Sequence, residues 1–212
     1  MSKISNKLLQ AASGASGGAI TGEFIESSHS NTSTVSLSSA PQAGDLIIAH
    51  TGGYTFGSSM FSNFTQVVGI ISSPWYSSPA YREGSKIGYR IATGSEGTSI
   101  SVGGYDAALS VYRFSSPVTS VTSAFTTTKQ GTGSKTIYTS SYDKPHIVAC
   151  TIGSYQNPSL AMTNSDYSSR VGYCDAAASL RNLDSSLTTA VITASSVSFN
   201  EACCYAVLVP NF

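Results

Sequence analysis

The chain has 212 residues with eleven basic and eleven acidic side chains, and charged residues make up only 10% of it. A single all-β domain fits this length, and a chain of this size can fold without a disulfide or a metal. Zero net charge without a Lys/Arg cluster argues against nucleic-acid binding, and no apolar run approaches the ~18 residues of a membrane-spanning helix.

Residues 1–18 stand apart from a body that is strand-like almost to its last residue. They offer one helical turn followed by a Ser/Gly run that we expect to be a flexible linker. The segment is too short to form a core and too apolar to act as a solubilising extension, so we expect it to dock on another molecule. The predicted docking residues are Ile4, Asn6, Lys7, Leu8, Leu9 and Gln10.

The N-terminus also lacks the 7–15-residue apolar stretch of a secretory signal. We therefore expect folding in a cytoplasm, where the four cysteines remain reduced thiols. The pair Cys203-Cys204 has neither metal-ligand spacing nor an accompanying His pair, so we expect no zinc. Adjacent strand residues point to opposite faces, which places one of these two cysteines in the core.

From residue 19 onward, apolar runs bounded by Gly, Pro, Asn and Ser predict an antiparallel two-sheet sandwich over residues 19–212 with jelly-roll-like connections. For residues 175–182 the sequence leaves three alternatives open: two helical turns, a strand or a loop. The predicted strands cover residues 19–26, 32–37, 45–51, 64–71, 85–92, 98–102, 107–114, 121–128, 135–139, 146–152, 170–174, 188–194 and 202–209.

Two runs, 46–49 and 206–209, are apolar at every position, which predicts that both of their faces are covered. The run Ile47-Ile-Ala-His-Thr51 lies one hundred positions before Ile147-Val-Ala-Cys-Thr151. This internal echo indicates two similar halves.

The segment Pro41-Gln-Ala-Gly-Asp-Leu-Ile-Ile-Ala-His50 resembles the opening of a β-sandwich family common in phage and environmental genomes. In that family a Gly-Trp-Thr strand follows, then a Tyr-(Arg/Lys)-aliphatic-Ala strand. Asn63-Phe-Thr-Gln-Val67 and Tyr89-Arg-Ile-Ala-Thr93 occupy these places here, with Phe64 instead of the usual Trp. Ala107-Ala-Leu-Ser-Val-Tyr-Arg-Phe114 matches the closing strand. The resemblance implies a sandwich fold and a structural role.

A second resemblance concerns the N-terminal segment. Asn6-Lys-Leu-Leu-Gln-Ala-Ala-Ser-Gly-Ala-Ser-Gly-Gly18 is similar to the N-terminal peptide of many otherwise unrelated virion proteins of marine tailed phages. One short peptide on different bodies implies a common receptor on the particle.

The residues that could carry catalysis do not combine into a site. The only Gly-x-Ser-x-Gly match, at 14–18, has no preceding strand to form a nucleophile elbow. His50 and His146 lie at strand ends, where we expect hydrogen-bonded rim residues. Glu23 and Glu26 are three apart in a strand, which predicts opposite faces. Asp45 precedes a strand and is expected to accept hydrogen bonds from backbone N–H groups of a turn. We expect no catalytic residue, no metal and no cofactor.

The loop 72–82 carries the only Trp and two prolines. Its aromatic residues Trp75, Tyr76 and Tyr81 could close one end of the sandwich, contact another protein or stack on a glycan.

These features favour a non-enzymatic phage virion structural protein, a capsid decoration or head accessory protein attached through its N-terminal arm. Its expected partners are the major capsid protein or another virion protein, and possible self-association is consistent with its neutral surface. The expected location is the virion, assembled in the host cytoplasm. The alternative is a tail-associated host-attachment module that binds a surface glycan. A depolymerase is disfavoured because no carboxylate constellation is present.

Overall fold

The strands form where aliphatic, aromatic and small apolar residues alternate with Ser and Thr, a pattern that suits a half-buried pleated surface. The computed structural model describes residues 19–53, 61, 63–71, 84–103, 106–130, 133–138, 142–154, 158–172, 174–182, 189–195 and 202–212. Within these ranges the regular structure is entirely β-strand, paired in antiparallel sheets. The predicted all-β antiparallel sandwich is confirmed.

The first half of the described chain contributes seven strands. They are β1 (Gly22–Ser30), β2 (Thr34–Ser36), β3 (Leu46–Gly53), β4 (Thr65–Ile71), β5 (Gly84–Ile91), β6 (Ser99–Ser101) and β7 (Ala107–Phe114).

The second half contributes eight strands. They are β8 (Ser120–Gln130), β9 (Gly133–Tyr138), β10 (His146–Gly153), β11 (Ser159–Met162), β12 (Tyr167–Val171), β13 (Cys174–Arg181), β14 (Thr189–Ser195) and β15 (Ala202–Asn211).

Two large sheets hold the molecule together, one from each half. The first has the order β1-β7-β3-β5-β4 and the second has the order β12-β13-β10-β15-β8. Each half adds a small sheet, β2-β6 in the first and β11-β14-β9 in the second. The structure therefore refines the two-sheet prediction to four layers.

Strand pairing is nested in the same way in both halves. The first strand of each half pairs with its last, the second with the second-last and the third with the third-last: β1 with β7, β2 with β6 and β3 with β5, then β8 with β15, β9 with β14 and β10 with β13. Nested pairing of this kind defines a jelly roll. The echo between 47–51 and 147–151 falls on the equivalent central strands β3 and β10.

Three buried clusters fill the spaces between the layers. The shared core lies between the two large sheets and includes Leu46, Ile48, Ile147 and Leu208. The other two clusters lie between each large sheet and its own small sheet. Strands β3 and β10 are buried at every position, because both of their faces are covered. The prediction for the run 46–49 is thus confirmed.

Three local details differ from the sequence prediction. The strand predicted over 170–174 is divided, because the chain turns at Gly172, whose φ of 50° lies in the left-handed region. The segment after the turn is strand β13, so of the three alternatives for 175–182 the strand is confirmed and the helix is wrong. Strand β11 was not predicted at all.

A β-bulge at Ile25 changes which way the β1 side chains point. Glu23 pairs with Arg113 and Glu26 pairs with Val111, and the register shifts between Phe24 and Glu26. The extra residue places both glutamates on one face, so the predicted opposite orientation is wrong.

Candidate functional site

His50 lies at the centre of the shared core, not at its rim. Its ring is fully buried, with Nδ1 2.7 Å from Oγ1 of Thr151 and Nε2 2.5 Å from the hydroxyl of Tyr167. Burial lowers the pKa of His50 to about 3, although the Cys150 backbone opposes this shift. A neutral imidazole satisfies both contacts, since one ring nitrogen donates and the other accepts. His50 therefore joins the two halves and has no access to a substrate.

His146 and Arg181 form a second buried polar pair, directly opposite each other on β10 and β13. His146 Nδ1 lies 3.0 Å from the Lys144 carbonyl, and Arg181 Nη2 donates to the Thr163 carbonyl at 3.1 Å. The pKa of His146 is lowered mainly by burial and further by the Arg181 charge, against the Lys144 hydrogen bond. Nε2 of His146 has no hydrogen-bond partner among the described residues, so the expectation of a hydrogen-bonded rim residue holds for Nδ1 and not for Nε2.

The four cysteines are free thiols and all are buried. Cys203 belongs to the outer core of the second half and Cys204 to the shared core, as opposite strand faces require. We predicted that one of these two cysteines lies in the core. Both do, because both faces of β15 are covered. Burial raises the pKa of Cys204 to about 12 and that of Cys150 well above its ordinary value, so both thiols are protonated at neutral pH.

Asp45 has the predicted turn role and a second one. Its Oδ2 accepts the backbone N–H of Gln42 at 2.7 Å, which confirms the turn contact. Arg113 also donates to both carboxylate oxygens, at 2.8 and 2.7 Å. Asp45 is 2% exposed, and its hydrogen bonds connect β7 to the turn before β3. Its role is therefore structural.

The glutamates that share a face have separate partners. Glu26 accepts hydrogen bonds from the backbone N–H and hydroxyl groups of both Ser38 and Ser39. The hydrogen bond to Asp45 raises the pKa of Arg113, and the nearby charge of Glu23 acts in the same direction. The four hydrogen bonds give Glu26 a structural role.

Among the described residues, no group of three or more His, Cys, Asp or Glu side chains could hold a metal ion. Within the same part of the chain, no helix has the length and apolar character needed to cross a bilayer.

An open groove at the surface of the described chain is a further candidate site. It has a volume of about 520 Å³ and runs along the seam between the two halves. Its walls come from three stretches: 63–65 at the start of β4, 89–91 at the end of β5, and 119–120 at the start of β8. The groove exists because β4 of the first half lies against β8 of the second.

Several groove side chains are held in place by neighbours. Arg90 donates to Glu96 at 2.9 Å, and that carboxylate also accepts from Thr93 and from the Gly94 N–H. On the opposite wall, Thr119 donates its N–H and its hydroxyl to the Asn211 carbonyl, and Ser120 Oγ accepts from Asn211 Nδ2. Phe64 packs on Phe61 within the outer core of the first half.

The predicted site residues lie elsewhere. The docking residues Ile4, Asn6, Lys7, Leu8, Leu9 and Gln10, and the loop aromatics Trp75, Tyr76 and Tyr81, fall outside the described residues. Sequence reasoning missed the groove, although it singled out 63–67 and 89–93, which supply two of its walls. The third wall is close only through tertiary packing.

The fold defines an antiparallel β-sandwich protein with two jelly-roll halves and an open groove at their seam. Comparison with protein-family models, with curated proteins and with solved structures found no match.

Proposed function

We propose that this protein is a non-enzymatic structural component of a tailed-phage virion, a capsid decoration or head accessory protein that attaches through residues 1–18. One observation carries the proposal: a short apolar segment, similar to a docking peptide of phage virion proteins, precedes a body whose first strand begins at Gly22. Strand β1 lies at the edge of its sheet, so the chain enters the body at the periphery.

The body offers two kinds of support. Jelly-roll sandwiches are a common architecture of viral capsid proteins, although a fold alone does not define a function. The side chains of His50, Cys204 and Asp45 make structural contacts inside the body. In this proposal the body is a rigid module, and residues 1–18 determine where it binds on the particle.

The energetics of such an arm favour a repetitive partner. Burying Ile4, Leu8 and Leu9 contributes roughly a few kcal/mol at ~25 cal/mol per Å² of apolar area. The loss of translational freedom and the ordering of the arm offset much of this gain. Many copies on a symmetric shell, or self-association of the body, would raise the effective concentration and make attachment stable. The major capsid protein is therefore the proposed partner.

The proposal is tested by comparing particles assembled with the full chain and with a chain lacking residues 2–18. We expect the truncated protein to remain folded and monodisperse by circular dichroism and size-exclusion chromatography, and to be absent from purified particles. Normal incorporation of the truncated protein would contradict the proposal.

Point variants separate the apolar contact from the charge and length of the arm. The double variant Leu8→Asp/Leu9→Asp should lose particle binding, whereas Ser13→Asp/Ser16→Asp adds the same charge in the Ser/Gly run and should bind normally. Residues 1–18 fused to a fluorescent carrier should in turn be sufficient for binding. Equal binding by the two double variants would refute docking through the leucines.

A second candidate function is a tail-associated host-attachment module. The open groove at the seam favours it, because a host-attachment protein must offer an accessible ligand site. Labelled protein located on intact particles by low-resolution imaging distinguishes the two, since decoration requires labelled heads and attachment requires labelled tails.

A further inference from the structure

We propose that the groove between β4, β5 and β8 is a binding site for an uncharged saccharide, with one or two sugar rings seated against Tyr89. This inference does not rest on the proposed virion attachment, because the groove belongs to the body and not to residues 1–18. A decoration protein and a tail protein could each carry it.

The charges of the groove favour an uncharged ligand. Among the described residues that line the groove, Arg90 alone is charged, and its guanidinium is paired with Glu96. The Glu96 side chain is 1% exposed and is held by its neighbours, so the pair persists without a ligand. A phosphate or carboxylate ligand would need an uncompensated cation, which the groove wall does not provide.

The hydrogen-bonding groups match a polyhydroxyl ligand. Within the described part of the chain, no protein hydrogen bond uses the Asn63 amide or the hydroxyls of Thr65 and Tyr89. On the opposite wall, Thr119 Oγ1 already donates to Asn211 and remains an acceptor, while Ser120 Oγ accepts from Asn211 and remains a donor. The groove thus offers donors and acceptors together, which sugar hydroxyls require because each both donates and accepts.

Aromatic and apolar surface supplies the other half of sugar recognition. The carbon-bound hydrogens of a pyranose form an apolar face, and an amphipathic Tyr ring can cover that face while its hydroxyl stays solvated. Tyr89 is half-buried against the shared core, beside Ile91. A volume of about 520 Å³ is within the usual range of small-molecule sites.

The groove is preorganised, which reduces the ordering cost of binding. Its groups stand on or beside strands, and Thr65 pairs directly with Tyr89 in the β4–β5 ladder. Asn211 orients both Thr119 and Ser120, and Glu96 orients Arg90. Sites built on rigid elements hold their geometry better than sites on loops.

At the equivalent position of the second half, side-chain hydrogen bonds join the two halves, so the unbridged seam at the groove is not a necessary result of the fold. Strand registers match Gly22 to Ser120 and Asn182 to Ala92. The Asn182 side chain accepts from the Gly22 N–H at 2.8 Å and donates to the Gly22 carbonyl at 3.0 Å. Ala92 has no side chain that could make this clasp on Ser120, and the seam stays open there.

The test is an NMR titration of the isotope-labelled full chain with neutral oligosaccharides: isomaltotriose, mannotriose, galactobiose and an N-acetylglucosamine trimer. We expect at least one of them to shift the amide resonances of 63–65, 89–91 and 119–120 with a Kd of about 1 mM or tighter. Polygalacturonate and a synthetic peptide of residues 1–18 serve as the acidic and peptide probes.

A matched pair of variants locates the binding. Thr65→Arg fills the groove from an exposed position, and we expect affinity to fall at least about tenfold by steric exclusion. Gln66→Arg makes the same change one residue along β4, on the opposite face, and should leave affinity unchanged; thermal unfolding checks that both variants fold. No shift with any neutral oligosaccharide, shifts only with the acidic or peptide probe, or equal affinity of the two variants would each overturn the proposal.

Discussion

At the scale of single residues, the contacts of His50 illustrate how a polar side chain can be buried without a charge. It is 0% exposed, and its two ring nitrogens contact Thr151 and Tyr167 from the other half of the molecule. Protonation would place an unpaired charge between two sheets, which is strongly unfavourable in a low-dielectric core. The network is therefore stable only while the imidazole is neutral.

This burial predicts that acid destabilises the protein. The pKa of His50 is 6.5 in the unfolded chain and about 3 in the fold. Between these two pH values the unfolded chain binds a proton that the folded chain does not bind. The stability contributed by the neutral His50 is fully present above pH 6.5 and is lost progressively as the pH decreases from 6.5 toward 3. The loss attributable to His50 is about 2 kcal/mol between pH 7 and pH 5.

The measurement is the free energy of unfolding in urea at pH 7, 6 and 5. His50→Gln should be less stable at pH 7, because its contacts change, but should lose about 2 kcal/mol less on acidification. His146→Gln provides the comparison, because the pKa of His146 is lowered in the same direction. A wild-type stability that does not change between pH 7 and pH 5 would refute the role assigned to the His50 network.

For single residues, the sequence predicted the kind of contact a side chain makes better than the place of that side chain in the fold. Asp45 was correctly predicted to bond a turn N–H because that contact spans only three residues. The partners of His50 are 101 and 117 residues away, so no local pattern could reveal them. Likewise, the alternation rule failed for Glu26 because a bulge inserts one residue, and strand alternation does not record an insertion.

At the scale of strands, continuous apolar runs in the sequence were more informative than local helix propensity. The apolar run 46–49 was correctly predicted to be covered on both faces. By contrast, the Asp-Ala-Ala-Ala-Ser-Leu-Arg sequence of β13 favours a helix locally, yet it pairs on both sides with β10 and β12. Packing between two strands outweighs a propensity difference of a few tenths of a kcal/mol per residue.

The close approach of the two large sheets predicts a strong effect at Gly153. A Cβ at this position would lie 1.9 Å from the Gly84 carbonyl oxygen of the facing sheet, where backbone atoms cannot move aside cheaply. We expect Gly153→Ala to lower the free energy of unfolding by about 3 kcal/mol or more.

Gly97→Ala is the matched comparison in urea unfolding. Its Cβ would meet no atom within 4 Å, and only its positive φ of 69° opposes the change. A cost of about 1 kcal/mol is therefore expected. If Gly153→Ala were as mild as Gly97→Ala, the sheets would not be in the described contact.

At the scale of the whole molecule, the two halves pack as an isologous pair would. β4 of the first half lies against β8 of the second, and the equivalent strand β12 lies against β1, while the equivalent central strands β3 and β10 face each other. Reciprocal contacts of this kind are those of a twofold dimer interface. The body therefore has the internal organisation of a dimer whose subunits are joined in one chain.

This organisation predicts that the halves depend on each other. Each large sheet alone would expose its face of the shared core, including Leu46 and Ile48 in the first half and Ile147 and Leu208 in the second. Fragments 19–118 and 119–212 should therefore aggregate or remain unfolded separately, because an apolar face of this size is unstable in water. Co-expressed, they should form a stable 1:1 complex.

Each fragment and the co-expressed pair are measured by size-exclusion chromatography with light scattering, which gives the association state, and by circular dichroism, which reports folding. The cut between residues 118 and 119 follows the contacts, since Val118 N–H donates to Gly44 and Thr119 N–H donates to Asn211. Two soluble, folded fragments that do not associate would contradict a shared core.

The sequence by itself determined the all-β class, the approximate places of the central strands and the echo between the halves, because these follow from side-chain periodicity within a few residues. The four-layer stacking, the burial of His50, the face of Glu26 and the groove at the seam were decided only by tertiary structure. Each depends on which distant strands meet, and antiparallel pairing between halves is set by the summed packing of whole faces. A local pattern records only which faces are apolar, and does not record which apolar face covers which.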